Sequence, residues 1–164
     1  MTGLPEWART LARGRRHGVA SDEQGRVMAL DLGARRIGIA LSDPTRTLAS
    51  PLTTIRAEPR TAALARIAAL IREHEVAVLV IGLPLTLNGA VGPQATLVQQ
   101  FAAALREQVD VPVHMFDERL TSVAAERMMI DLGVKREQRK ARIDEVAASL
   151  ILQDFLDSQR HTGE

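Results

Sequence analysis

The chain has 164 residues, 46% of them apolar, a formal net charge of +1 and no cysteine. That is the size of one domain able to bury its own core, and with no thiol it holds neither a disulfide nor a thiolate zinc site; a reducing, cytoplasmic setting is the expectation. Charge that close to zero leaves no global field to draw the protein onto nucleic acid, so any such binding must come from local patches.

Residues 1–25 differ from the rest. Leu4, Trp7 and Leu11 are spaced for one face of a short helix, and Gly14, Arg15, Arg16, His17 and Gly18 follow. This reads as a basic, flexible N-terminal extension with no apolar h-region, hence no export signal. No run approaches the roughly twenty apolar residues of a membrane span.

From Arg26 onward short apolar runs begin. Val27 to Leu32 and Ile37 to Leu41, parted by Gly33, Ala34, Arg35 and Arg36, predict a hairpin, and Leu52 to Ile55 a third strand. Leu64, Ile67, Ala68 and Ile71 then recur at helical spacing within Thr61 to Glu73. Val76 to Ile81 is continuously apolar, as in a strand buried on both faces, and ends at Gly82-Leu-Pro84. Next come a loop with Asn88, Gly89 and Gly92, a helix carrying Leu97, Val98, Phe101 and Leu105, and a strand from Val111 to Phe116.

Thr121 or Ser122 caps a further helix that ends near Gly133. A basic turn follows, and Ile143, Ala147, Leu150 and Ile151 line a last helix, with Phe155 beyond. The expected order is βββαβαβαα, an α/β domain over residues 26–158 in which a meander is extended by two crossover units, with residues 159–164 as a tail.

Three acids stand out by position. Asp31 and Glu118 end apolar strands, where a carboxylate needs a partner, and Asp144 is placed in the first turn of the last helix beside Ile143. The carboxyl ends of neighbouring strands are where ligands collect in open α/β sheets. Clustered carboxylates repel unless a cation joins them, and hard oxygen donors without His or Cys favour Mg²⁺ or Mn²⁺, two per site in a two-metal phosphodiesterase. Singly, each acid has a plainer reading: Asp31 as a turn cap, Glu118 as an arginine partner, Asp144 as a favourable acid at a helix N-terminus.

In order and spacing, Asp31-Leu-Gly33, Arg36-Ile-Gly38-Ile-Ala40, Ser42-Asp43, Gly82-Leu-Pro84 with Asn88-Gly89, Asp117-Glu118-Arg119-Leu-Thr121 and Ile143-Asp144-Glu-Val-Ala147-Ala148 resemble the YqgF/RuvX family of ribonuclease H-like proteins. The resemblance covers about Arg26 to Leu156. It implies a mixed five-stranded sheet of order 3-2-1-4-5 flanked by helices, with Asp31, Glu118 and Asp144 as catalytic metal ligands. It further implies a nuclease that either resolves Holliday junctions, which would call for a homodimer, or processes the 5′ end of pre-16S ribosomal RNA.

Lys135, Arg136, Arg139, Lys140 and Arg142 form a basic stretch just before Asp144, expected to be a mobile loop gripping the phosphate backbone or else an ordinary solvated turn. Arg35 and Arg36 beside Asp31, and Arg119 beside Glu118, either hold substrate phosphate or neutralise the acids. The loop from Gly82 to Gly92, with Asn88, is a further expected nucleic-acid contact. Two other functions compete: an actin-like ATPase, which would need two such domains, and a nucleic-acid-binding factor that does not cut.

Overall fold

A computed structural model describes residues 25–84, 91–118, 127, 129–133 and 135–162; within these the side chains of Glu118, Arg136, Glu137, Arg139, Lys140, Ala141, His161 and Thr162 are not described. The elements are β1 (Arg26–Leu32), β2 (Arg36–Ser42), β3 (Ala49–Arg56), α1 (Arg60–Glu73), β4 (Val76–Pro84), α2 (Pro93–Arg106), β5 (Val113–Glu118) and α3 (Arg136–Thr162). Residues 127 and 129–131 are helical, and Gly133, in the left-handed region at φ 74°, ends that turn by donating its N–H to the Ile130 carbonyl.

The sheet order is β3-β2-β1-β4-β5. The β1/β2 and β2/β3 pairs are antiparallel, and β4 lies parallel to both β1 and β5. Alternation along the strands makes two cores. Met28 and Leu30 of β1, Ile37 and Ile39 of β2 and Leu79 and Ile81 of β4 pack against Leu64 and Ile67 of α1 and Val98 and Leu105 of α2. Val27, Ala29, Ala40, Val78 and Val80 face the other way, onto Ile151, Leu152, Phe155 and Leu156 of α3. Among the described residues no helix is long and apolar enough to cross a membrane.

Three expectations need correction. The basic stretch before Asp144 is not a loop, because α3 begins at Arg136 and Arg136 to Arg142 form its opening turns. That segment holds Arg, Glu, Gln, Lys and Ala, good helix formers, with no Gly or Pro to break it; a run of charge marks exposure and is no turn signal. Asp144 therefore sits not in the first turn of the last helix but about 12 Å further along it, at 1.5 Å per residue. The macrodipole reading of that acid falls with it. The last strand also starts later than Val111: Pro112 has no N–H for the ladder, although its carbonyl still accepts from the Leu79 N–H at 2.9 Å.

The β2–β3 connection is built on Ser42 and Asp43. The buried Ser42 hydroxyl oxygen accepts from the Val27 N–H at 2.8 Å, tying β2 back to β1. The Asp43 carboxylate accepts from the backbone N–H groups of Thr45, Thr47 and Leu48 at 3.1, 2.8 and 2.8 Å, and from the Thr45 hydroxyl. Those bonds, the Leu48 N–H foremost, hold its carboxyl well below the usual carboxylate range.

A carboxyl group depressed in the folded state stabilises the protein above its unfolded pKa of about 3.9, and that contribution is lost as pH falls below it. Asp43→Ala should therefore lower stability by about 1 kcal/mol at pH 7, since the turn is exposed and its charge screened. Urea melts of mutant and wild type should converge as the pH drops through the region below about 4; a deficit that persists unchanged at acid pH would contradict this account of the turn.

Candidate functional site

Asp31 continues the Val27, Ala29 series on the α3 side of β1, and its partner across the antiparallel ladder is Gly38 of β2. Here α3 comes down onto the sheet. A Cβ at Gly38 would stand 2.0 Å from the Asp144 carbonyl oxygen and 2.8 Å from the Glu145 nitrogen, closer than any side chain tolerates. Only a residue without a Cβ lets the α3 backbone rest on β2 at this point. Asp31 and Asp144 thus converge on one glycine, one beside it in the sheet and the other above it.

Polar contacts hold α3 in this place. Glu145 accepts from the Thr54 hydroxyl of β3 at 3.2 Å and from Arg142 Nε at 3.1 Å. Further along α3, Gln153 accepts from the Ala49 N–H at 2.9 Å and donates to the Thr47 carbonyl at 3.1 Å. At the other edge of the sheet, on the same face, Phe116 of β5 meets Phe155 of α3 edge-to-face, with ring centroids 5.8 Å apart. Two residues beyond Phe116, Glu118 closes β5 in register with Pro84. Strand alternation assigns positions 116 and 118 to the same face.

The Asp144 side chain is 22% exposed, with Arg36 Nε 3.3 Å from its Oδ2. That atom is within ion-pair range of the guanidinium, yet among the described residues it is buried without a hydrogen bond. Burial pushes the Asp144 carboxyl above its usual value, the Arg36 charge opposes the rise and Glu145 adds to it. Of the two roles read for Arg36, the structure displays neutralisation of an acid. Asp31 is half-buried and engaged with neighbours.

Arg35 and Lys135 are exposed, as is Arg142 beside its partner Glu145. Asn88 and Arg119 lie outside the described residues, as do the side chains of Arg136, Arg139 and Lys140. Among the described residues no three His, Cys, Asp or Glu side chains form a metal-binding group, a set from which the Glu118 side chain is missing. A cavity of about 280 Å³ bordered by Leu32, Ile37, Glu58, Gln94, Leu97 and Phe101 opens on the α1/α2 side of the sheet, away from the acids.

The residues overlooked in the sequence are those that place the acids rather than the acids themselves. Gly38 and Glu145 both stood inside quoted motifs, but what each touches comes from elements far apart in the chain. Replacing Gly38 by Ala should lift the start of the Asp144 turn off β2, with a loss of about 3 kcal/mol and, through misplacement of the acid, about a hundred-fold in any activity that uses it. Denaturant unfolding checks the first figure, and wild-type stability in Gly38→Ala would refute the close approach.

Residues 25–158 match the model of a protein family described as RuvX: Holliday junction resolvase. A protein of Roseiflexus sp. (strain RS-1), named "Putative pre-16S rRNA nuclease", is 73% identical over 140 residues, covering 85% of this chain and 99% of that protein. One of the same name from Chloroflexus aurantiacus is 55% identical over 134 residues, covering 82% of this chain and 88% of that protein. Among solved structures, Thermus thermophilus RuvC in complex with a Holliday junction substrate superposes with a TM-score of 0.53 at 13% identity, over 84% of this chain and 97% of that one. The fowlpox virus Holliday junction resolvase gives 0.50 at 14% identity, over 82% and 99%. Identities that low speak to the fold alone, and the fold is the ribonuclease H-like one of these resolvases.

Proposed function

The chain belongs to the RuvX family, and on that premise we propose that it is a metal-dependent nuclease of structured nucleic acid in which Asp31, Glu118 and Asp144 are the catalytic ligands. The observation that carries this is the convergence of Asp31 and Asp144 on Gly38, at the sheet rim where β5 ends in Glu118.

The donors fit a hard divalent cation. All are carboxylate oxygens, and among the described residues Asp144 Oδ2 is buried without a hydrogen bond, as suits an atom whose partner is an ion. When bound, a pair of Mg²⁺ or Mn²⁺ ions supplies an activated water and a stabilised leaving oxygen. The chain itself contributes position. Gly38 and the Thr54–Glu145–Arg142 contacts set the height and rotation of α3, so the Asp144 carboxylate is fixed before substrate arrives. Arg36, half-exposed beside that carboxylate, keeps a guanidinium at the edge of the acid site, within reach of the substrate backbone.

The names of the relatives support pre-16S rRNA as substrate; the 5′ end as the site of action follows the family resemblance, and a cytoplasmic setting follows from a chain without cysteine. A second reading, a four-way DNA junction, draws on the family description and the RuvC complex, and paired cuts would then require two copies of the chain. Wild type should trim a precursor rRNA fragment in Mn²⁺ or Mg²⁺ and not in EDTA, and Asp31→Asn should cut at least about a hundred-fold more slowly. Paired symmetric nicks in a junction instead would make it a resolvase. Binding without cleavage of either substrate under any metal would leave a non-catalytic nucleic-acid-binding factor.

Metal binding has its own readout. At Mn²⁺ about a hundred times its Kd, wild type should gain about 2.7 kcal/mol of stability, seen as a rise in Tm. Asp144→Asn should lose most of that rise; an undiminished shift would remove Asp144 from the ligand set.

A further inference from the structure

Arg56, the last residue of β3, stands directly opposite Arg36, the first residue of β2. Both belong to the α3 side: Thr54, two positions before Arg56, reaches Glu145, and Arg36 reaches Asp144. Like charges facing each other across an antiparallel pair are destabilising. Among the described residues only one of the two charges has an acidic partner. Arg36 shares Asp144, while no ion pair or side-chain hydrogen bond among the described residues holds the Arg56 guanidinium, which is exposed.

The neighbouring acids are engaged elsewhere: Glu145 is taken by Thr54 and Arg142, and Glu58 borders the cavity on the opposite face. Arg35 adds a third cation, its carbonyl bonded to the Ala57 N–H at 2.9 Å where the two strands join. One rim of the sheet therefore runs from acidic on β1 and β5 to basic on β2 and β3.

We propose that Arg56 and Arg36 form a clasp for a backbone phosphate flanking the scissile one, so that the substrate strand leaves the acid site across β2 and β3. This rests on the nuclease reading above. Two guanidinium forks rooted about 5 Å apart match the several oxygens of one phosphate better than they match each other. Arg56, two strands from Asp31, stands about 10 Å from β1. It addresses a neighbouring phosphate, not the one at the acids, and a phosphate backbone is the partner that turns the cross-strand repulsion into attraction.

The test is fluorescence anisotropy of the full chain with a structured pre-16S rRNA fragment and a four-way DNA junction, in EDTA, over about 50 to 200 mM salt. Arg56→Gln should bind about three- to ten-fold more weakly and lose about 0.9 from the slope of log K against log salt, one phosphate contact. Arg56→Lys should keep the slope. In cleavage assays the Arg56→Gln defect should appear in KM rather than kcat, and the variant should melt at or above wild type, relieved of the repulsion.

Wild-type affinity and slope in Arg56→Gln, with Asp31→Asn still unable to cut, would overturn the clasp and leave the nuclease standing. Melting of Arg56→Gln well below wild type would also overturn it, because the arginine would then be holding the fold. Failure of wild type to bind either nucleic acid would overturn both readings.

Discussion

The backbone of α3 touches the sheet at Gly38, and the arrangement of the acids depends on that contact. A helix normally stands off a sheet by the length of its side chains. Here the facing surface is pared down to Ala29, Gly38 and Ala40, with Ala148 on the helix, so the two backbones close to a distance that excludes even a methyl group. Asp144 is thereby brought to the level of Asp31, the residue paired with Gly38. The bonds from Thr54 to Glu145 and from Ala49 to Gln153 then keep α3 from sliding or turning about that point.

Such a site is built against stability. Asp144 is buried enough to raise its pKa, its Oδ2 lacks a hydrogen bond among the described residues, and its cationic neighbour among them, Arg36, faces another arginine. Each feature is unfavourable in the protein alone and becomes favourable only with ligands, a cation for the carboxylates and phosphate for the arginines. The two apolar cores on either side of the sheet carry this burden, each anchored by side chains removed from solvent. Asp43 shows the contrast: its carboxylate is fully served by backbone donors, and its role is confined to shaping a turn.

The strands and the first two helices of the structure were legible because each has a strong local signature. Val76 to Ile81 is apolar throughout, and β1 and β2 flank a Gly-containing turn; the sheet order came from the resemblance to a known family and agrees with the structure. What misled was charge. Lys135 to Arg142 looked like a loop because charge reports solvent exposure, not backbone conformation, and an exposed helix satisfies it equally well. Asp144 stands beside an apolar face, as its neighbour Ile143 indicates, but its depth within α3 is not visible in the sequence. The parts of Gly38 and Arg56 are set by tertiary pairing: one needs a helix from the far end of the chain, the other a partner across a ladder that the apolar pattern marks only as far as Ile55.

The most direct measurement is a crystal structure of the full chain grown with Mn²⁺ and read by anomalous scattering. The account predicts metal density bonded to carboxylate oxygens of Asp31 and Asp144, with Glu118 completing the set and the Arg36 guanidinium moved off Asp144 Oδ2. Saturating Mn²⁺ with no anomalous density at these carboxylates, and the Arg36–Asp144 pair intact, would contradict it.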